Sequence, residues 1–419
     1  MNEIRAFLSD FTFYYPIFMA YLWMFGGLYY RYHWENVGGR NHNERNALPE
    51  YPFVSLLVPC HNEGFNAEET ILSLLRQNWP FFEVIAINDA STDNTGEVLD
   101  RLAHEHENLR VMHLQQNQGK AMALRIGALT ACSEYLICID GDALLDPNAT
   151  HWIMGNFLSS NRVGAVTGNP RIRNRTSLLG KIQVGEFASI IGMIKRAQRI
   201  YGRVFTVSGV VAAFRRSALQ EVGYWNTDMA TEDIDISWRL QLRQWDIRYE
   251  PKALCWILMP ETLKGIWRQR LRWAQGGAEV ALRHGGELLQ WRNRRMWPVF
   301  AEYALSVLWS YLVAALILIW VASTVVELPF VTPTLLPGWH GLMLGITCLL
   351  QFSTSLHIDA RYEPGLRRYY LWVVWYPMVY WTLNVFTTVV GFPKAWKRKK
   401  GQAAIWKSPD RGLHQEPPP

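Results

Sequence analysis

Hydrophobic positions follow two regimes along the chain. Over residues 53–258 short apolar runs alternate with mixed stretches, and charges occur throughout. Elsewhere four long runs carry no charged side chain: 11–30, 303–326, 328–358 and 369–392. In the first regime "VSLLVPC" (54–60), "FEVIAIND" (82–89), "LRVMHLQ" (109–115) and "YLICID" (135–140) predict strands. The stretches 68–77, 95–104 and 120–130 predict helices between them. Short β-rich runs alternating with helical patterns imply βαβ units and an α/β fold on a mostly parallel sheet.

Each long run is sufficient to cross a hydrocarbon layer, which takes about 20 helical residues. The third contains Pro329, Pro333, Pro337 and His340, so only its later part, 342–356, reads as a span. The first reads as an anchor: no small-residue cleavage site follows it, and Arg31 sits where a polar leader region would be. The predicted organisation is an anchor (1–32), a polar linker (33–52), a soluble domain (53–258), amphipathic interface helices (259–297), transmembrane or re-entrant segments (298–392) and a basic tail (393–419).

Composition supports a membrane setting. Twenty Trp and eighteen Tyr suit interface belts. The net charge of +6 comes largely from Lys and Arg within 264–295 and 394–411, beside apolar runs. The lipid bilayer, with its anionic headgroups, is therefore the expected partner, and no nucleic acid is. Five cysteines without a CxxC pair suggest reduced thiols facing the cytosol.

In a parallel sheet ligands bind beyond the carboxyl ends of the strands. The residues there are His61, Asn62 and Glu63; Asp89 and Asp93; Gly119 and Lys120; then Asp140, Gly141 and Asp142. Asp140 and Asp142, two apart, can point to one side and approach Mg²⁺ or Mn²⁺ together; the alternative is an ordinary turn. Asp89 can accept hydrogen bonds from a base edge or ribose. Lys120 opens a helix behind Gly119 and suits an anion, although the spacing is neither a P-loop nor GxGxxG. Within "RQRLRWAQGG", Gln269, Arg272 and Trp273 share one helical face. They could hold a diphosphate and stack a sugar, or lie basic on the membrane. The pair Gly276–Gly277 is expected to end that helix. "TEDIDIS" places Glu232, Asp233 and Asp235 together, either as acids of a first helical turn or with one poised to take a proton. Its periodicity fits strand and helix alike.

Asp89, Asp140–Gly141–Asp142, Thr231–Glu232–Asp233 and Gln269–Arg272–Trp273, in that order, resemble the processive membrane synthases among the family-2 glycosyltransferases of GT-A fold. "SEYLICIDGDALLD", "VFTVSGVVAAFRRSAL" and "CWILMPETLKGIWRQRLRWAQGGAEV" look most like those that build β-1,6-linked N-acetylglucosamine polymers. The likeness runs from 53 to about 280 and continues weakly to "SPDRG". It implies a GT-A catalytic domain with an α-helical transmembrane region, multi-pass in the bacterial inner membrane, with the catalytic domain cytosolic. It implies UDP-N-acetylglucosamine as donor and a growing polysaccharide as acceptor, joined with inversion in a single displacement. Carried over by position, Asp89 and Glu63 would hold the uridine, and Asp140 and Asp142 the metal on the diphosphate. Asp233 would be the base, Gln269 and Arg272 would contact the pyrophosphate with Lys120 nearby, and Trp273 would line the acceptor site. Chitin, hyaluronan or cellulose synthesis is the rival product class; a non-catalytic membrane subunit is the rival function. The resemblance also implies a small membrane accessory subunit and a response to cyclic di-GMP, to which Arg171, Arg173 and Arg175 cannot be assigned.

A cytosolic donor requires 53–297 to face inside, and Arg31, Arg40 and Arg45 agree. Three further full spans would leave the basic tail outside, against the positive-inside rule. One C-terminal segment is therefore expected to lie in the interface or re-enter: the proline-broken run before Leu342, or the aromatic stretch around Pro377.

Overall fold

The computed structural model describes residues 2–35, 47–326, 338–376, 381–398 and 401. Arg40 and Arg45, the run holding Pro329, Pro333 and Pro337, Pro377 itself and the tail beyond residue 401 lie outside the described residues. In chain order the elements are α1 (Asn2–Tyr29), β1 (Val54–Cys60), α2 (Ala67–Leu75), β2 (Phe82–Asn88), α3 (Thr95–Glu105), β3 (Leu109–His113) and α4 (Lys120–Thr130). Next come β4 (Tyr135–Ile139), β5 (Leu144–Leu145), α5 (Ala149–Leu158), β6 (Val163–Ile172), α6 (Leu178–Phe187), α7 (Lys195–Tyr201), β7 (Val211–Arg215) and α8 (Arg216–Val222). The chain continues through α9 (Glu232–Leu242), β8 (Asp246–Ile257), α10 (Leu263–Leu288), α11 (Trp297–Ser323), α12 (Trp339–Asp359) and α13 (Thr382–Lys397).

The strands form one sheet in the order β3-β2-β1-β4-β7-β6-β8-β5. The four strands read from the sequence make its parallel half, in register Val54 to Phe82 and Val54 to Tyr135. Every residue of β1 is buried, as expected for a strand covered on both faces, which reads as an unbroken apolar run. Beyond β4 the sheet is mixed: β7 is antiparallel to β4 and β6, whereas β6 and β8 run parallel.

One open alternative is resolved and one sequence expectation changes. The TED segment is a helix, α9, beginning at Glu232. The helix carrying Gln269, Arg272 and Trp273 does not stop at Gly276–Gly277 but continues to Leu288. The glycines serve close packing instead: a Cβ on Gly276 would stand 2.1 Å from Thr231 Oγ1, and one on Gly277 would stand 3.2 Å from the Tyr303 ring.

Among the described residues, two helices are long and apolar enough to cross a membrane, Trp291–Ser323 and Trp339–Asp359. The last apolar run, 369–392, is described on either side of residues 377–380. A 3-10 helix, Leu366–Trp375, precedes Pro377, and α13 begins at Thr382. The guanidinium of Arg175, from the loop after β6, lies 5.3 Å from the Tyr369 ring, and Tyr376 packs at 4.7 Å on Phe352 of α12. Trp381 meets Trp309 about three turns along α11. At the far end of α13, Arg398 returns to Glu279 of α10 at 3.0 Å. Both flanks of the Pro377 stretch thus reach the catalytic domain.

Candidate active site

The carboxyl ends of β1, β2 and β4 converge, and each contributes differently. Asp89 is fully buried. Its two oxygens accept the N–H groups of Gln118 and Gly119, each at 2.8 Å. Gly119 has φ +85°, a conformation that favours glycine. Asp89 therefore pins the loop that aims Lys120, the first residue of α4. Glu63 is also buried. Its backbone N–H donates to Thr95 Oγ1 at 2.8 Å, and its side chain packs so closely that a Cβ on Gly141 would meet it at 3.1 Å. It backs the turn between Asp140 and Asp142.

Lys120 gathers the charges. Its Nζ lies 2.5 Å from Asp140 Oδ1, 3.1 Å from Glu232 Oε1 and 3.0 Å from the Gly209 carbonyl. The three segments, residues 120, 140 and 232, are far apart in sequence. Burial pushes Asp142 up to about 7, and the charge of Asp140 adds to that. Burial likewise raises Asp140, outweighing Lys120. For Glu232 the balance reverses: burial opposes ionisation, yet Lys120 and Arg272 hold it below the usual carboxylate range. The residues fit a divalent cation, since two adjacent half-buried carboxylates, each with its proton affinity raised and Asp142 partly by the charge of Asp140, favour added positive charge. No group of three or more His, Cys, Asp or Glu side chains stands ready for a metal among the described residues. Such an ion would depend on substrate phosphates and water for its remaining ligands.

Asp233 occupies the first turn of α9. Its Oδ1 accepts the N–H of Ile234 at 2.9 Å, and its Oδ2 faces Gly209, where a Cβ would stand 3.0 Å away. Burial and the neighbouring Glu232 raise it to about 6, against Lys120 and Arg272. Asp235 turns the other way into a buried network, accepting from Arg239 at 2.8 Å, His284 at 2.9 Å and Asn226 at 3.0 Å. The loop before α9 is fastened to α10, because Ala230 N–H donates to Glu279 Oε2 at 3.0 Å.

On α10, Arg272 is exposed, with Nη1 3.5 Å from the Ala230 carbonyl. Its charge reaches Glu232 and Asp233. Gln269 Oε1 is buried without a partner among the described residues, while Nε2 lies 3.9 Å from Met259 Sδ. Trp273 is half-buried against the core, and the Arg270 guanidinium sits 4.2 Å above its ring, itself paired with Glu186 at 2.6 Å. Arg171, Arg173 and Arg175 each pair with a carboxylate: Asp359, Glu69 and Glu363.

Gly209 and Lys195 adjoin the site without having been singled out from the sequence. Lys195 is buried, donates to Ser208 Oγ at 2.7 Å and Thr167 Oγ1 at 3.1 Å, and is pushed down to about 7 by burial, against the charge of Asp233. Its one signal was a lysine closing the uncharged run "FASIIGMI". Gly209 carried no signal beyond lying in "TVSGVV".

Comparison with known proteins follows this geometry. Residues 49–276 match the family described as glycosyltransferase like family 2. The poly-β-1,6-N-acetyl-D-glucosamine synthase of Staphylococcus epidermidis RP62A is 40% identical over 405 residues, 96% of this chain and 98% of that protein. Its counterpart in Staphylococcus aureus COL is 41% identical over 408 residues, 97% and 99% of the two chains. Among solved structures, a mannosyltransferase from Pyrobaculum calidifontis in complex with GDP-mannose and Mn²⁺ matches with a TM-score of 0.58 at 20% identity. It covers 91% of this chain and 98% of its own, and shows the shared fold.

Proposed function

Because the chain belongs to glycosyltransferase family 2, we propose that it polymerises N-acetylglucosamine from UDP-N-acetylglucosamine into a β-1,6-linked polysaccharide of biofilm type. What supports this reading most is the meeting of Lys120, Asp140 and Glu232 beside Asp233, in a chain similar over nearly its whole length to synthases of that polymer.

Asp233 takes the proton of the acceptor 6-hydroxyl. The acceptor oxygen bonds to the anomeric carbon as the opposite bond to UDP breaks, and UDP leaves with the electron pair, inverting the centre. Asp233 must be ionised for this, and its value of about 6 leaves it a stronger base than an ordinary carboxylate while still ionised near neutrality. Asp140 and Asp142 would hold Mg²⁺ or Mn²⁺, which would supply positive charge against the diphosphate. Arg272, Gln269 and Lys120 add donors to the departing phosphates, and Trp273 offers the acceptor sugar a flat apolar face. Asp89 and Glu63 shape the uridine end, Asp89 by fixing the Gln118–Gly119 loop.

The polymer leaves through the membrane region. A cavity of about 390 Å³ lies between α1, α11, α12 and α13, lined by Trp23, Tyr303 and Trp309 with Gln198, Gln351 and Asn384. Aromatic faces among amides suit a sugar chain. The enzyme is multi-pass in the cytoplasmic membrane with its catalytic domain in the cytosol, and one C-terminal segment lies in the interface or re-enters rather than spans. That arrangement keeps the basic tail inside.

The test is turnover by the purified protein in lipid with Mg²⁺ and a panel of UDP-sugars. UDP release with UDP-N-acetylglucosamine, absent in Asp233→Asn, and a product cleaved by a β-1,6-specific hydrolase are expected. Turnover of another UDP-sugar instead, or an active Asp233→Asn enzyme, would overturn the reading.

A further inference from the structure

One buried basic group beside the site takes no part in the steps above. Lys195 is 3% exposed and begins α7, directly after a π-helical stretch, Ala188–Ile194. Such stretches are rare in helices and recur at functional sites. Among the described residues the hydrogen-bond partners of its Nζ are neutral hydroxyls, Ser208 Oγ at 2.7 Å and Thr167 Oγ1 at 3.1 Å. An ammonium buried on such partners costs the fold stability instead of supplying it, and burial pushes Lys195 down to about 7. Packing does not account for it.

Both hydroxyls frame one turn. Val211 N–H donates to the Ser208 carbonyl at 3.0 Å and closes the turn at 208–211. Ser208 N–H donates to Thr167 Oγ1 at 2.8 Å, and Thr167 lies on β6 opposite Ala212 of β7. The other side of the turn meets the catalytic groups. The Gly209 carbonyl accepts from Lys120 Nζ at 3.0 Å, and a Cβ on Gly209 would stand 3.0 Å from Asp233 Oδ2. Val207 N–H donates to Ser237 Oγ at 2.9 Å, and that hydroxyl donates to the Asp233 carbonyl at 2.6 Å. Lys195 is thus linked through residues 207 and 208 and Ser237 to the first turn of α9. It also lines the cavity of about 390 Å³, beside Gln198, Phe205 and Thr206. The lysine therefore stands between Asp233 and the route of the polymer.

We propose that Lys195 is a positioning residue for sugar transfer: it clamps the Ser208–Gly209 turn against α9 and so sets Asp233 against the acceptor hydroxyl, a role that rests on Asp233 being the base. Without the clamp the turn is free to relax toward the cavity, and Asp233 loses the surface that fixes its Oδ2. A displacement of about 1 Å is enough to cost about 10²-fold in rate.

The test measures UDP release and thermal melts of the full chain in lipid for Lys195→Met, Ser208→Ala and the double variant, with Asp233→Asn beside them. Lys195→Met keeps the side chain's length and removes its donors. Its kcat is expected to fall about 10- to 100-fold, with the KM for UDP-N-acetylglucosamine within about twofold of wild type. The donor side is spared because Lys120 stays paired with Asp140 and Glu232. The variant should melt no lower than wild type, since a buried amine has been removed; a lysine that only held the scaffold would give a lower melt. Ser208→Ala should also lower kcat, and the double variant no further than Lys195→Met, because the two groups act through one contact. Unchanged kcat in Lys195→Met, a KM that rises as kcat falls, a loss accompanied by a lower melt, or losses that multiply in the double variant would each overturn the proposal. An inactive Asp233→Asn beside a fully active Lys195→Met strikes the role of Lys195 alone. Turnover by Asp233→Asn would overturn Asp233 as the base, and the role of Lys195 with it.

Discussion

Lys120 and Asp140 form an ion pair of 2.5 Å that ties the first residue of α4 to the residue just past β4. The same ammonium also reaches Glu232 at 3.1 Å, so one cation stands among the carboxylates at 140, 142, 232 and 233. Lys120→Met leaves those acids to repel one another and removes a donor from the phosphate side. We expect kcat to fall about 10²-fold, as when a single preorganised donor is lost. Unchanged UDP release in the variant would reduce Lys120 to a counter-ion.

Asp233 sets the acid limb of the pH profile. With its value raised to about 6, kcat/KM should fall about tenfold per pH step once the pH is well below that value. The same shift carries a stability consequence. The folded state favours the protonated form, so stability is greatest below the ordinary carboxylate value and declines as pH rises through about 6. Asp233→Asn should therefore abolish turnover yet melt a few degrees higher than wild type at pH 8. A lower melting temperature would contradict the burial argument.

Two glycines of α10 should respond oppositely to alanine. A Cβ at Gly276 would stand 2.1 Å from Thr231 Oγ1, in the loop that leads into Asp233, whereas nothing lies within 4 Å of the same atom at Gly285. Gly276→Ala is expected to lower kcat by about tenfold or more through misplacement of the base. Gly285→Ala should leave kcat intact and stabilise the helix by about 0.5–1 kcal/mol. Parallel kinetics and thermal melts distinguish the two.

The catalytic domain is locked to the membrane helices by Asp359 at the end of α12, which pairs with Arg196 at 2.8 Å and Arg171 at 3.0 Å, all three buried. Asp359→Ala removes a buried carboxylate shared by two guanidinium groups, leaving Arg196 with Glu35 at 2.6 Å and Arg171 with Glu363 at 3.9 Å. Breaking a buried pair in this way typically costs about 3–5 kcal/mol, so the variant should melt well below wild type in detergent. A melt within a degree of wild type would mean the network is dispensable.

Chelation should abolish turnover, with Mg²⁺ or Mn²⁺ restoring it. Asp142→Asn removes one of the two carboxylates, and its activity should require a higher metal concentration, read from a titration of UDP release against Mn²⁺.

The chain's own order determined a good deal. β1 spans Val54–Cys60 and α4 spans Lys120–Thr130, as the pattern predicts, because a strand buried on both faces is an unbroken apolar run and a helix that buries one face records its period within about ten residues. The rim residues Asp89, Lys120, Asp140 and Asp142 followed from those strand ends. Tertiary structure decided the rest. Residues 231–242 carry both periods, and only packing of Ile234 and Trp238 against Val280 and Met296 makes them a helix. Gly276–Gly277 looked like a stop, since a glycine that ends a helix and one that admits a neighbour are the same letter. Lys120 meeting Glu232, Glu279 holding Ala230, and Asp359 taking Arg171 and Arg196 join segments tens to nearly two hundred residues apart. No local pattern records such contacts, because their energy exists only once the distant segments have been brought together.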